Sequence, residues 1–224
     1  MIFLQGGGAC WNDLCNAFDT ADGIPFPAIG IMGGNAETTP THDWDIVYLP
    51  YCDGSLFAGD VDRMLTDDEG EPVEMVYQRG LINLSAALDV AITEYPNPSR
   101  IMIAGISGGG FGTITATPLV RFYYPEVDIL VFNDSGVGVA KDGDPDFVEG
   151  LLEEWEASAL IPESCTDCTE NGHITRFIEW GLAADPTLQL SLLSFSQDDV
   201  IAGGFLQIDP AGLRRYCCAK PSAS

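Results

Sequence analysis

One stretch of the sequence restricts the fold more than any other: RIMIAGIS at 100–107, which runs directly into the glycines at 108–110. The stretch is almost continuously apolar, as expected for a strand that is buried on both faces of a sheet. Further strands are predicted for MIFLQ at the N-terminus and for the apolar runs at 44–51, 127–134 and 188–196. A sheet with several fully buried strands must be covered on both sides.

Helical patterns separate most of these strands. Helices are predicted at 79–95, at 108–124, at 145–157 with Asp144 as the N-cap, and at 173–183. The segment TDDEGEP at 66–72 predicts a solvated acidic loop. Strands that alternate with helices predict an α/β fold, in which a mostly parallel sheet has helices on both faces.

The charge of the chain excludes some classes of partner. The 224 residues include 34 acidic and 9 basic residues, which gives a net charge of −25. A nucleic-acid-binding protein needs a basic surface, so we expect no nucleic-acid partner. A polyanionic substrate is also disfavoured, because like charges repel during encounter. No apolar run reaches the roughly 18 residues of a membrane span, and the residues after Met1 do not show the pattern expected of a signal peptide.

Seven cysteines raise the question of metal or disulfide. The spacing of Cys165 and Cys168 would suit half of a zinc site, but the only histidines are His42 and His173, and no second pair of ligands is evident. Disulfides formed in an oxidising compartment are the favoured alternative, with a connectivity that the sequence leaves open. We expect no metal.

The motif GISGGG at 105–110 lies between a buried strand and a helix, which is the context of a nucleophile elbow. The Ser of such an elbow occupies a sharp, strained turn and needs small neighbours. A phosphate-binding loop would require a following Lys, and the spacing does not fit a dinucleotide-binding fingerprint. Ser107 is therefore the predicted nucleophile, and a glycine-rich turn without a catalytic role is the alternative.

A second glycine-rich loop, LQGGGAC at 4–10, follows the first strand. Glycines allow backbone N–H groups to approach a carbonyl oxygen closely. An α/β-hydrolase stabilises its oxyanion with the N–H that follows the nucleophile and with N–H groups from such a loop. Gly7, Gly8 and Gly108 are the predicted oxyanion-hole donors, and a tight turn without a ligand is the alternative.

Four motifs together resemble one known family. FLQGGGACW, YLPYCDGSLFAGD at 48–60, GISGGG and FNDSG at 132–136 look like the pectin acetylesterase family, which also contains the Notum carboxylesterases. The resemblance covers roughly residues 2–201. It implies a secreted α/β-hydrolase that removes acyl groups with a Ser-Asp-His triad, and thus an extracellular or periplasmic protein without a cofactor. The implied substrate is an ester-bearing carbohydrate or a small molecule.

The resemblance also implies further site residues. It favours Asp198 in SFSQDDVI as the triad acid, with Asp199 as second choice. The acid would hold the His tautomer and stabilise the imidazolium. Asp134 is the alternative acid, although Asp134 and Ser135 in the family's Asp-Ser-Gly look more like a substrate-binding pocket wall.

The triad histidine is the missing member. The fold orders its triad as Ser, Asp, His, but no His follows Asp198. His42 precedes the strand at 44–51 and is expected at the wrong edge of the sheet, because catalytic groups gather at the carboxyl ends of parallel strands. His173 is a weak stand-in base from the region between two strands.

These observations predict the organisation of the chain. Residues 1–201 should form one domain with a lid-like insertion at about 137–187, and residues 202–224, with RRYCCAKPSAS, form an atypical tail. We expect a fragment that lacks outer strands and the His, and hence weak or absent activity. The alternative function is a non-catalytic domain that binds an acylated glycan or a protein. The sequence does not predict an oligomeric state.

Overall fold

The computed structural model describes residues 1–11, 14–17, 30–67, 69–138, 141 and 143–209. Their strands are β1 (Ile2–Leu4), β2 (Gly8–Trp11), β3 (Leu14–Ala17), β4 (Val47–Leu49), β5 (Val61–Thr66), β6 (Pro72–Gln78), β7 (Ile101–Ile106), β8 (Ile129–Asp134) and β9 (Gln189–Leu193). Their α-helices are α1 (Gly80–Glu94), α2 (Gly108–Tyr123), α3 (Phe147–Glu154) and α4 (Thr175–Ala184). A π-helix, Val200–Leu206, follows β9.

Five strands form the central sheet in the order β4-β1-β7-β8-β9. Every neighbouring pair in this sheet is parallel. The predicted strands and helices are all present, with ends that differ by a few residues. The predicted α/β class with a mostly parallel sheet is confirmed.

The larger hydrophobic core lies on one face of the sheet. It joins strand residues such as Leu4, Ile103 and Val131 to Leu88 of α1 and Val120 of α2. On the opposite face, Phe3, Met32 and Ala104 form a smaller cluster. A short 3-10 turn, Gly30–Met32, covers that face near β1. The hydroxyl groups of Thr39 and Thr41 stabilise the turn by donating hydrogen bonds to the carbonyl oxygens of Gly30 and Ile31.

Two antiparallel hairpins, β2–β3 and β5–β6, were not predicted from the sequence. The predicted acidic loop corresponds to the turn of the second hairpin, where residue 67 and residues 69–71 lie between the two strands. The N-cap prediction for α3 was wrong: the helix begins at Phe147, Asp146 occupies the cap position, and Asp144 only accepts the Phe147 N–H with its backbone oxygen.

Among the described residues, four cysteines form two disulfides, Cys10–Cys15 across the β2–β3 hairpin and Cys165–Cys168 between α3 and α4. Cys217 and Cys218, with the predicted tail from residue 210 onward, lie outside the described residues. Within the described part, no helix combines the length and the apolar composition that crossing a bilayer requires.

Candidate active site

Ser107 occupies a sharp turn between β7 and α2. Its backbone has φ 54° and ψ −119°. Residues other than glycine rarely adopt a positive φ. Two hydrogen bonds fix the turn, since the Ser107 N–H donates to the Asp134 carbonyl oxygen at 2.8 Å and the Ser107 carbonyl oxygen accepts the Phe111 N–H at 3.0 Å. A half-buried Ser at a strained strand-to-helix turn has the geometry of a nucleophile elbow.

Close packing explains the glycines on both sides of Ser107. A Cβ on Gly109 would overlap the Leu4 carbonyl oxygen, and a Cβ on Gly105 would overlap the Gly109 carbonyl oxygen. A Cβ on Gly110 would lie 2.9 Å from the Gly136 nitrogen. The start of α2 therefore rests directly on the backbones of the sheet, and larger side chains would push the helix away.

The N-terminal glycine loop lies against the same turn. A Cβ on Gly6 would come within 3.0 Å of the Ser107 Cβ, and a Cβ on Gly108 would come within 3.1 Å of the Gly8 carbonyl oxygen. Gly6, which sequence reasoning did not select, has no room for a side chain, because its Cβ would overlap the Ile106 carbonyl oxygen as well as lie close to Ser107. The two predicted oxyanion segments face each other across the turn.

A cavity of about 80 Å³ opens beside Ser107. Its lining comes from four segments of the chain: Gly8, Ala9 and Trp11; Leu56; Ser107, Gly108 and Phe111; and Val200, Ile201, Gly204 and Phe205. The first hydrogen bond within α2 is the one from Phe111 to Ser107, so the N–H of Gly108 has no acceptor inside the helix. Gly7 is half-buried beside Gly8 and does not line the cavity.

A smaller apolar cavity of about 50 Å³ adjoins the first, because Leu56, Phe111 and Phe205 line both. Residues of α3, together with Trp155 and Ile174, close its far side. Short apolar groups fit this pair of cavities, whose combined volume is far below that of a drug-sized ligand site.

Asp198 lies directly before the π-helix that lines the Ser107 cavity. The half-buried Asp198 accepts the N–H groups of Val200 and Ile201 through its Oδ1, at 3.1 and 3.0 Å. Asp199 is exposed at the N-cap position. The observed contacts of Asp198 orient the first turn of this helix, and its role as triad acid stays a prediction.

Phe205 fixes the π-helix over the site. Its ring lies 5.1 Å from the ring centroids of Trp11 and Phe111, and 5.9 Å from that of Phe147. This aromatic cluster joins the glycine loop, α2, α3 and the helix that follows Asp198. No sequence motif pointed to this role, because the four rings come from distant parts of the chain.

Asp134 and Ser135 support the elbow from the neighbouring strand. Besides the Asp134 carbonyl contact with Ser107, the Ser135 hydroxyl donates to the Asp134 carboxylate at 2.9 Å. Neither residue lines the Ser107 cavity, so their predicted substrate contact stays a prediction. Their neighbour Asn133 is fully buried, and its amide bonds to Gly110 and Gly136 tie β8 to the start of α2.

The motif YLPYCDGSLFAGD forms a second wall of the site. The buried Tyr51 hydroxyl oxygen accepts the Leu56 N–H at 2.9 Å, and Leu56 itself has a positive φ of 55°. The Ser55 hydroxyl donates to the buried Asp53 carboxylate. Burial raises the pKa of Asp53, and hydrogen bonds from Ser55 and from backbone N–H groups offset this only in part. The sequence pattern did not reveal this buried carboxyl group.

Neither histidine lies at the cavity. His42 is exposed before β4, with its Nδ1 3.1 Å from the Thr39 carbonyl oxygen, as expected for the amino end of the sheet. His173 is half-buried before α4, and burial lowers its pKa. In the described ranges, no group of three or more His, Cys, Asp and Glu side chains is placed to hold a metal ion.

The sequence model of one family, Pectinacetylesterase, matches residues 1–166, well over half of the chain. The chain belongs to the pectinacetylesterase family. Two plant relatives from Arabidopsis thaliana carry the same name: Pectin acetylesterase 11 is 25% identical over 125 residues, and Pectin acetylesterase 7 is 25% identical over 150 residues. These alignments cover 51% and 61% of this chain, but only 30% and 36% of the relatives, so the chain spans about a third of their length.

The fold of this pectinacetylesterase family member is similar to that of the Wnt deacylase Notum from Drosophila. The structural match has a TM-score of 0.63 at 18% sequence identity. It covers 99% of this chain and 66% of the Notum chain. The match supports the α/β-hydrolase-like fold predicted from the sequence.

Proposed function

We propose that this chain is a serine esterase that hydrolyses a short acyl ester, most suitably an acetyl ester, of a glycan or a small molecule. The observation that carries the proposal is the strained Ser107 turn, which shares one small cavity with the glycine segments at Gly8 and Gly108. Membership of the pectinacetylesterase family supports the same reaction class.

In the proposed reaction, the Ser107 Oγ attacks the ester carbonyl carbon. The carbonyl oxygen becomes an oxyanion, which the N–H groups of Gly7, Gly8 and Gly108 stabilise. Collapse of the tetrahedral intermediate breaks the ester bond and releases the alcohol, which takes up a proton. Water then hydrolyses the acyl-serine and releases the carboxylic acid. This chemistry requires no metal or organic cofactor.

The proton of Ser107 needs a base, which is a His in a complete triad, and we assign Asp198 as the acid that would orient such a His. Neither His42 nor His173 lines the Ser107 cavity. Loss of one triad member still leaves catalysis by the oxyanion hole and by substrate binding. We therefore expect this chain to turn over slowly, far below a complete Ser-His-Asp enzyme.

Cavity size and charge indicate the substrate. An acetyl group fits beside Ser107, whereas a long acyl chain exceeds the two cavities of about 80 and 50 Å³. The curated relatives are named for pectin. However, a net charge of −25 repels a polyanion, so we favour a neutral acetylated glycan or a small ester.

We further propose that the chain works in an extracellular or periplasmic compartment, where its two disulfides are stable. Residues 1–201 are proposed to form a single domain, and the rest of the π-helix Val200–Leu206 packs into the same core. The lid-like insertion of this domain, at about 137–187, contains α3 and α4 between β8 and β9.

Hydrolysis of p-nitrophenyl acetate by the whole chain and by Ser107→Ala tests the proposal. We expect a slow rate for the unmodified chain that falls to the buffer background in the Ser107→Ala variant. Equal rates for both proteins would contradict the esterase assignment.

A second candidate function rests on the missing histidine at the cavity. A non-catalytic domain that binds an acylated glycan or a protein would need no base. Binding of an acetylated oligosaccharide, without turnover and without an effect of Ser107→Ala on hydrolysis, would favour this alternative.

A further inference from the structure

The carbonyl oxygen of Cys10 is a buried hydrogen-bond acceptor next to the glycine loop. It accepts the Gln78 Nε2–H at 2.9 Å and the Trp155 indole N–H at 2.8 Å. The Cys10 N–H donates to the Gly54 carbonyl oxygen at 2.8 Å. Cys10, Gln78 and Trp155 are each at most 2% exposed. Both lone pairs of this oxygen are therefore used, in a place that water does not reach.

A chain of polar contacts fixes the direction of the Gln78 amide. Its Oε1 accepts the Arg63 Nε–H at 2.6 Å, so its NH₂ group must face Cys10. Arg63 in turn pairs with Glu154 at 2.7 Å, and Glu154 is the residue directly before Trp155. The two donors to Cys10 thus belong to one closed network that joins β5, β6 and the end of α3.

The network reaches Cys10, which is two residues after Gly8 of the candidate active site. Cys10 lies in β2, which begins at Gly8, and Gly8 faces Gly108 across the Ser107 turn. Because the backbones around this turn are already in close contact, a movement of Cys10 changes the position of the Gly8 peptide group. A misplacement of about 1 Å at a reacting centre can reduce a rate by about 100-fold.

We infer that Gln78 and Trp155 are positioning residues, which hold the glycine segment 6–8 against Ser107 through their shared hydrogen bonds to the Cys10 carbonyl oxygen. The catalytic consequence rests on the proposed function. Neither side chain lines the Ser107 cavity, and Gln78 lines neither of the two adjoining cavities, so it acts through Cys10 alone. Trp155 also closes the far side of the smaller cavity with its ring, which Trp155→Phe retains, so the loss of its N–H reports on Cys10.

Two substitutions remove one donor each. Gln78→Glu keeps an acceptor for Arg63 and loses the NH₂ group, whereas Trp155→Phe keeps an aromatic ring and loses the indole N–H. Gln189→Glu, on the exposed edge of β9, and Trp180→Phe, half-buried in α4, make the same chemical changes elsewhere. Each protein is measured for kcat and KM with p-nitrophenyl acetate, after subtraction of the Ser107→Ala rate, and for hydrogen exchange of individual backbone amides.

We expect kcat to fall by about 10- to 100-fold in Gln78→Glu and Trp155→Phe, because a displaced oxyanion donor loses part of its effect. KM should change by less than about twofold. Exchange should accelerate at residues 6–11 and stay unchanged in the central sheet, and both control variants should behave like the unmodified chain.

Two results would overturn the inference: kcat within about twofold of the unmodified chain in both variants, or faster exchange throughout the molecule. If the unmodified chain does not exceed Ser107→Ala, the proposed function fails and hydrogen exchange alone decides. Local acceleration at residues 6–11 would then still support the positioning role, and unchanged exchange there would refute it.

Discussion

At the scale of single residues, the backbone of Ser107 is the clearest mark of function. A positive φ at a residue other than glycine costs about 1–3 kcal/mol, and such strain is common where function requires it. The same turn could be built without strain by a glycine. The chain instead keeps a hydroxyl group at this position, next to a cavity.

We predict that Ser107→Gly abolishes the Ser107-dependent hydrolysis and raises the free energy of unfolding by about 1 kcal/mol, because glycine relieves the strain. Ser107→Ala should be equally inactive but gain no stability, since alanine keeps the Cβ. Urea unfolding of the three proteins measures this difference. A less stable Ser107→Gly variant would contradict the strain argument.

Asp53 is the second informative residue, because it is a buried carboxyl group that the proposed mechanism does not use. Burial raises its pKa, so the folded state holds its proton more tightly than the unfolded state. Stability from this group is present at low pH and is lost as pH rises from the ordinary carboxyl pKa through the raised folded value. Asn cannot ionise and does not incur this loss.

The free energy of unfolding of Asp53→Asn, measured relative to that of the unmodified chain, should therefore increase as the pH rises from 3 to 7. Urea unfolding at several pH values measures the difference. Asp43→Asn, at an exposed position, controls for the change in net charge. A difference for Asp53→Asn that does not depend on pH would show that ionisation of this group has no effect on folding.

At the scale of elements, the contact between α2 and the sheet determines the geometry of the elbow. The helix begins so close to β1 that Gly109 has no room for a methyl group beside the Leu4 carbonyl oxygen. The tight glycine positions flank Ser107 on both sides. The packing of this one helix thus sets where the Ser107 hydroxyl lies.

We predict that Gly109→Ala lowers the free energy of unfolding by about 2–3 kcal/mol, as expected for overpacking, and also lowers any Ser107-dependent rate. Gly150→Ala is the matched control: Gly150 lies inside α3, and a Cβ there meets nothing within 4 Å. Alanine should stabilise that helix by about 0.5–1 kcal/mol. Equal effects in denaturant unfolding would contradict the packing account.

The sequence predicted the elements whose signals are local. Strand β7, helix α2 and the Ser107 turn follow from one apolar run and the glycines after it, and the parallel sheet follows from the alternation of strands and helices. The β5–β6 hairpin escaped prediction because its outer face carries exposed apolar side chains, among them Met64, Met75 and Tyr77, which hide the alternation of polar and apolar residues.

Parts of the site could not be predicted, because they depend on contacts between distant segments. The hydrogen bond from Trp155 to Cys10 joins residues that are 145 positions apart, and that from Gln78 spans 68 positions. Gly6 looked equivalent to Gly7 and Gly8 in sequence. Its close approach to the Ile106 carbonyl oxygen and to the Ser107 Cβ became visible only in the folded chain.

At the scale of the whole molecule, charge is the dominant property. Acidic residues outnumber basic ones by 34 to 9, so most carboxylates have no cationic partner within the chain. Their mutual repulsion opposes the compact state. Added salt weakens this repulsion, because the screening length falls from about 10 Å at 0.1 M to about 3 Å at 1 M.

We therefore predict that Tm rises by about 3–6 °C when sodium chloride is raised from 0.1 to 1 M, which corresponds to about 1–2 kcal/mol for a domain of this size. Differential scanning fluorimetry measures the shift. Chloride is preferred to sulfate, which stabilises proteins by exclusion from their surface. A constant or falling Tm would show that charge repulsion does not limit stability.

The central claim is that Ser107 is a nucleophile in an oxyanion-stabilising cavity. Its most direct test is covalent labelling of the whole chain with diethyl p-nitrophenyl phosphate, followed by peptide mass spectrometry. We predict one diethylphosphoryl adduct, on the Ser107 hydroxyl, and no labelling of Ser107→Ala. An unlabelled chain, or an adduct that persists in Ser107→Ala, would contradict the account.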